Sequence, residues 1–427
     1  MTRFKYRIVF ADIGHDLTIA KSVNDLLKAV YDALEVHRTL AHTRKALVLH
    51  RDVNLSNILM DPEWGHRVGR RCIAHSPALI DDILSRQLRP PEDRKAQCVV
   101  IDLDNSAELT TGQIDAINQK KIQSRTGTPA YIARAVSNGM PCCNPVTLLN
   151  EKMPLLDGAA KGLYIKVLGE ERYNKYNDSP NTVHGGIPLP PLKEQDVLQR
   201  AEEMTFYHRW EYDAELVFWT MYSALLRVTP IGFEETETTL KSLSTAWMTF
   251  YNHSIPPDPT TMSDPRNNLI KLTPNKFRLA FPPTMELVAD LLLELSRHVS
   301  PSYAMMEQLP PYDDHLHEAM QRLILRYLVA HLDDPIPLIS GKRRAVNFPE
   351  PPEPIRGTRG GTTEELQRTE EREKQQKQER LLADRMRAKR TAPDGSRGRK
   401  RPREPTGDVD GPGSKLRRSL RVLARKK

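Results

Sequence analysis

The sequence predicts a mostly α-helical domain with a few short β-strands, followed by a disordered basic tail. Three observations carry this. Between about residue 210 and residue 332, apolar residues recur at helical spacing in long segments. The strand-like runs are short and lie in the first hundred or so residues. Charge is unevenly spread: the 427-residue chain carries +8, but residues 356–427 hold 23 Lys and Arg against 11 Asp and Glu. That tail is +12, which leaves −4 on everything before it. A mildly acidic body does not meet its partners through a strongly basic surface.

In chain order, Phe4, Tyr6, Ile8 and Phe10 alternate with Lys5, Arg7 and Val9 and read as a half-buried strand, ended by a turn at Asp12-Ile13-Gly14. Ser22 is the expected N-cap of a helix, with Asp25 three residues on, and Leu26, Leu27, Val30, Tyr31 and Leu34 form its apolar face. Short strands are expected at 47–49 and 58–60. Residues 61–97 read as an irregular insertion with a short helix at 78–88, and Cys98–Ile101 as an apolar strand ending at Asp102. The stretch 136–206 is rich in Pro, Gly and Asn, with a helical patch near 159–172. Residues 212–226 are apolar nearly all round, as in a buried central helix. Amphipathic helices are expected at 240–251, 285–299 and 314–332. Residues 364–390 are polar and of mixed charge, without the apolar stripe of a coiled coil. The last forty residues cannot bury enough apolar surface to offset the entropy of ordering them.

No run approaches eighteen apolar residues, so no membrane helix is expected, and the N-terminus lacks the layout of a signal peptide. Cys72, Cys98, Cys142 and Cys143 include no CxxC pair, so neither a disulfide framework nor a zinc ribbon is expected, and the compartment reads as nucleus or cytosol. His208, His298, His315 and His317 read as ordinary helix or loop histidines. Tyr164, Tyr173 and Tyr176 lack the basic stripe of a base-stacking surface.

The chemistry concentrates in LVLHRDVNLSNILM, residues 47–60. Phosphoryl transfer needs a carboxylate to orient a hydroxyl nucleophile and oxygen ligands for magnesium. Asp52 and Asn57, five residues apart on one tight loop, suit both tasks. A further metal carboxylate should end the next strand, where Asp102 stands.

HRDVNLSN, then IDLD, then TGTPAYIARAV resembles the catalytic loop, magnesium loop and activation-segment end of a eukaryotic protein kinase. The opening RIVFADIGHDL, the Asp102-Leu103-Asp104 variant of the magnesium loop and the later YHRWEYDAELVFW, an H-x-x-x-x-D-x-E-type segment, are similar to the fungal-type protein kinase group. The resemblance implies a protein-kinase-like fold over residues 1–345, represented by the mostly helical large (C-terminal) lobe with insertion 61–97; the composition predicts a disordered, charge-rich basic tail over 346–427. It implies ATP and Mg2+ as cofactors and a Ser/Thr hydroxyl of a protein substrate as acceptor. Asp52 would be the catalytic base, Asn57 and Asp102 would hold magnesium and nucleotide phosphates, and His50 would pack under Leu103. Arg51 would receive a phosphate or acidic group from Ser124, Thr126 or Thr128. Thr128 would touch Asp52, and Asp213 would anchor the loop backbone.

The departures from the family pattern matter too. Asn54 stands where a Lys is usual. Arg134-Ala135 replaces the Pro-Glu that normally forms a locking ion pair, so that pair is expected to be missing. No Gly-rich loop and no strand Lys precede His50, so the lobe that covers ATP is expected to be absent and the chain weak or inactive alone. The alternative is a non-catalytic, pseudokinase-type scaffold directed to the nucleus by its tail. A small-molecule phosphotransferase sharing the H-x-D-x-x-x-x-N loop is disfavoured by Arg51 and TGTPAY. In the tail, the basic clusters within residues 389–427 read as a bipartite signal for an import receptor, or as a polyanion-binding segment whose grip fades with salt.

Overall fold

The computed structural model describes residues 14–42, 46–60, 77–90, 93–110, 122–141, 152–177, 203–204, 206–258, 264–305 and 313–346. The chain divides into two units, Met1–Pro349 and Glu350–Lys427, and every described residue lies in the first. The expected strand at 4–10, three of the four cysteines, the polar stretch 364–390 and the basic clusters lie outside the described residues.

Eleven helices and six short strands are described. Helix α1 spans Val23–His42, and Ser22 caps it, its Oγ accepting the Asp25 N–H at 3.1 Å. Strands β1 (Ala46–Leu49) and β2 (Ile58–Leu59) flank the loop that holds His50, Asp52 and Asn57. In the insertion a short helix, α2, covers only Ile80–Leu84, less than the periodicity predicts. Strand β3 (Val99–Val100) pairs antiparallel with β2, and β4 (Ala107–Thr110) with β1. Two nested antiparallel pairs therefore clamp the loop at 50–57 against the turn at 101–106.

Helix α3 (Arg134–Asn138) ends at Gly139, whose φ of 71° terminates it. The helical patch near 159–172 becomes two helices, α4 (Gly158–Leu168) and α5 (Glu170–Asn177), broken at Gly169. Helix α6 (Trp210–Arg227) is buried along its whole length except at Arg227. The remaining helices are α7 (Glu237–Tyr251), α8 (Asn267–Ile270), α9 (Pro274–Arg278), α10 (Glu286–Val299) and α11 (His315–Ala330). At the start of α7 the Thr236 hydroxyl accepts the Thr239 N–H while Thr239 Oγ1 accepts the Thr236 N–H, a reciprocal cap.

Helix α6 is the axis of the core. Helices α1, α10 and α11 pack on it, and α11 packs on both α1 and α10. Its Trp219 and Tyr222 meet Phe250 of α7 at ring separations of 6.0 and 6.1 Å, and Tyr222 meets Phe277 of α9 at 6.0 Å. Each such side chain contributes about 1.5–3 kcal/mol when fully buried. The pair formed by β5 (Val228–Pro230) and β6 (Leu338–Arg343) has no clear signal in the sequence. Only Leu338 of β6 is buried, so the alternation that marks a strand is absent.

The buried ion pair expected to be missing at Arg134 forms with the charges exchanged. Arg134 Nε donates to Glu215 Oε1 at 2.7 Å, and its Nη groups reach Asn267 Oδ1 and the Val299 carbonyl, each at 2.6 Å. Arg266, paired with Asp264 at 2.6 Å, donates to the carbonyls of Ala130 and Ile132. The segment is locked by arginines from both sides.

Candidate active site

Asp213, in the first turn of α6, builds the site from below. It is buried, and its two carboxylate oxygens accept the backbone N–H groups of His50 at 2.7 Å and Arg51 at 2.9 Å. Burial pushes the Asp213 carboxyl up, while His50, the two amide donors and Arg51 pull it back. These bonds hold Arg51 at φ 69°, a conformation that costs a non-glycine residue about 1–3 kcal/mol.

The loop then presents Asp52. Its Oδ1 accepts the Thr128 N–H at 3.0 Å, the Thr128 hydroxyl at 2.8 Å and Asn54 Nδ2 at 3.3 Å. Its Oδ2 accepts Asn105 Nδ2 at 3.1 Å. Asn57 Nδ2 donates to the Asp52 carbonyl at 2.7 Å, and its Oδ1 accepts only a long bond from the Ser56 hydroxyl at 3.5 Å among the described residues. The Asn57 carbonyl accepts the Ile101 N–H at 3.0 Å, so the residue next along, Asp102, sits beside Asn57. Asp102 is exposed and takes φ 65°, the second left-handed non-glycine residue in the site.

His50 donates from Nε2 to the Ile101 carbonyl at 2.9 Å. The expected packing of His50 under Leu103 gives way to another arrangement: Leu103 is 42 % exposed, and the ring that meets His50 is His37, edge-on at 5.6 Å. Arg51 Nη2 reaches the Ser124 hydroxyl at 2.7 Å and the Thr126 hydroxyl at 2.5 Å. Burial lowers the Arg51 pKa, opposed by Asp213. His208 joins this corner, its Nε2 donating to the Ser124 carbonyl at 2.9 Å.

The structure thus brings Asp52, Asn57, Asp102 and Thr128 together, with His50, Arg51 and Asp213 behind them. Three further residues belong to the site. Asn105 has no sequence signal beyond its place three residues after Asp102. Asn54 was visible only as a departure from a pattern. Glu215 is the acidic end of the D-x-E segment that opens α6.

The candidate metal ligands have the right chemistry. Asn57 Oδ1 and the Asp102 carboxylate are hard oxygen donors, and neither Asp102 oxygen has a protein partner among the described residues. No cluster of three or more His, Cys, Asp or Glu suited to a metal lies among the described residues.

The histidines are far from ordinary. Burial lowers His208 and His298 to about 3 and His253 and His315 to about 4, and holds His37 well below 6.5. Each stays neutral in the fold and takes up a proton when unfolded below pH 6.5. Stability is therefore complete above about pH 6.5 and lost as pH falls towards 3–4, at up to ~1.4 kcal/mol per pH unit for each histidine. Asp32, pushed by burial up to about 8, has the opposite sign: its contribution declines as pH rises from 3.8 through 8. The histidines outnumber it, so urea midpoints measured from pH 7.5 to pH 5 should fall steeply below pH 6.5. A flat profile over that range would show that water reaches these rings.

The family model for fungal protein kinases matches residues 1–144, a span that includes Asp52, Asn57, Asp102 and Thr128. No curated protein and no solved structure matches the chain. No helix among the described residues is long and apolar enough to cross a membrane. Over residues 1–144 the chain is similar to the fungal protein kinase family.

Proposed function

We propose that the site transfers the γ-phosphoryl group of Mg-ATP to a Ser or Thr hydroxyl of a protein substrate. The observation that carries this is the single hydrogen-bonded path Asp213–His50/Arg51–Asp52–Thr128, with Asn57 and Asp102 brought alongside through Ile101. Asp52 orients the hydroxyl and accepts its proton as the new P–O bond forms and the bond to the leaving diphosphate breaks. Thr128 fixes the Asp52 carboxylate and borders the acceptor. Asn57 Oδ1 and Asp102 hold magnesium, which neutralises charge on the phosphates. Arg51 and Asp213 position the loop and touch no reacting atom.

Titration calorimetry of the full chain tests this reading. Mg-ATP should bind with a dissociation constant in the micromolar range, and Asp102→Ala should abolish the heat. Binding that survives Asp102→Ala, or no binding by the parent chain, overturns it.

One observation favours a non-catalytic scaffold, with residues 389–427 as a nuclear address. Both carboxylate oxygens of Asp52 are already contacted internally, Oδ1 by Thr128 and Asn54 and Oδ2 by Asn105. On the phosphoryl-transfer reading Asn105, an exposed side chain, swings off Oδ2 when the acceptor hydroxyl arrives.

A further inference from the structure

Helix α6 ends in Arg227, the one position of the helix that is not buried. Its Nε donates to the Arg344 carbonyl at 3.0 Å, and its guanidinium lies 4.4 Å over the Trp247 ring. Trp247 in turn stacks on Tyr251 at 5.5 Å and 13°, and Tyr251 is 54 % exposed. The base of the guanidinium is fixed, and its face is covered. Its two Nη groups have no acceptor among the described residues, and neither is sealed from solvent.

The neighbouring cations are neutralised, and Arg227 is not. Arg343 pairs with Asp16, and Arg344 pairs with Glu235 at 2.6 Å. Among the described residues no carboxylate pairs with Arg227, and burial together with Arg343 and Arg344 lowers its pKa. The buried Trp247 indole N–H also lacks an acceptor among the described residues. The cluster is rich in donors and short of acceptors.

Its location gives it a purpose. Tyr131, three residues after Thr128, meets the Phe250 ring at 5.4 Å, and Phe250 meets Trp247 at 5.8 Å. Thr128 holds Asp52. Ring contacts therefore link the cationic-aromatic corner to the segment that borders the proposed acceptor.

We propose that Arg227, seated on Trp247 beside Tyr131 and Tyr251, anchors an anionic side chain of the polypeptide that the site acts on. A Glu or Asp carboxylate or a phosphoserine has the planar or forked oxygens that a guanidinium takes in pairs. A polynucleotide is the poorer fit, because the body of the chain is net acidic and the uncompensated charge is a single one. The proposal rests on the phosphoryl-transfer reading only in calling the polypeptide a substrate.

The test is fluorescence anisotropy with the full chain and no nucleotide. The probes are labelled peptides with one serine flanked by glutamates, the same peptide with glutamines, and one with phosphoserines in place of the glutamates. The glutamate peptide should bind about tenfold tighter than the glutamine peptide at low salt, the advantage shrinking at high salt. Arg227→Gln should remove that advantage without changing glutamine-peptide binding, and Arg227→Lys should keep part of it. Preference for the phosphoserine peptide alone would identify a phosphate as the anion. Equal affinity for the neutral and anionic peptides overturns the proposal with no variant needed, as does an Arg227→Gln protein that folds and still discriminates. Mg-ATP binding without charge selection sinks this proposal alone. Charge selection without Mg-ATP binding sinks the phosphoryl-transfer reading alone.

Discussion

Asp213→Ala is expected to lower the unfolding free energy by about 3–5 kcal/mol, more than any other single change at the candidate site. The carboxylate accepts two buried amide N–H groups, His50 at 2.7 Å and Arg51 at 2.9 Å, from a loop that α6 also meets through the Thr220 hydroxyl, which donates to the Val53 carbonyl. Alanine leaves both donors unpaired in the interior, and a hydrogen bond to a charged acceptor is worth about 1.5–3 kcal/mol. It also removes the restraint on Arg51, whose left-handed backbone is held only because surrounding bonds over-determine it. Asp213→Asn should be nearly as harmful, since one amide oxygen replaces two acceptors and the NH2 group faces a donor. Thermal unfolding should show a fall of roughly 10 °C, at about 2–4 °C per kcal/mol for a domain of this size. A loss within about 1 kcal/mol for Asp213→Ala would mean that the loop is held by other contacts.

The sequence made some of these features legible because they repeat a local rule. The cap at Ser22 and Asp25, the wholly apolar face of α6 and the short strands around residues 50 and 100 each follow from spacing within a few residues. The grouping of Asp52, Asn57 and Asp102 was legible for a different reason: three ordered motifs resemble one family. What stayed hidden is long-range. The exchange of the locking pair to Arg134 and Glu215 depends on two residues 81 positions apart, and nothing local at Arg134 announces a partner. Leu103 was expected above His50 and is exposed, on a turn that follows a left-handed Asp102. Tyr164, Tyr173 and Tyr176 sit in a polar stretch of sequence and are buried, and arginines that reach Tyr173 and Tyr176 come from α1 and α11. Composition reports that charges are present but not that they face inward.

That buried charge cluster should produce the largest stability effect in the chain. Glu318 of α11 is inaccessible to solvent, and three arginines from three elements converge on it: Arg38 of α1 at 2.7 Å, Arg322 of its own helix at 2.8 Å and Arg172 of α5 at 3.5 Å. The Tyr164 hydroxyl donates to it at 2.5 Å. Glu35 and Asp314 supply the other two negative charges, so three cations balance three anions. Burial alone would raise the Glu318 carboxyl; Arg38, Arg172 and Arg322 override it and hold the group at about 2. The pairing therefore persists until pH falls below about 4.5 towards 2, after the histidines have begun to fail below 6.5. Glu318→Ala leaves an excess positive charge in the interior, and breaking a buried pair from one side costs about 3–5 kcal/mol. Glu318→Gln should cost less, because its amide oxygen still accepts from one guanidinium. Glu318→Met combined with Arg322→Met removes one charge of each sign and should recover part of the loss, giving a non-additive cycle. Urea unfolding of the four proteins measures this, and the differences should be nearly insensitive to salt because the pairs are shielded from ions. Strict additivity, or a Glu318→Ala midpoint close to the parent's, would show that the cluster is hydrated and that α1, α5 and α11 are joined by their apolar faces alone.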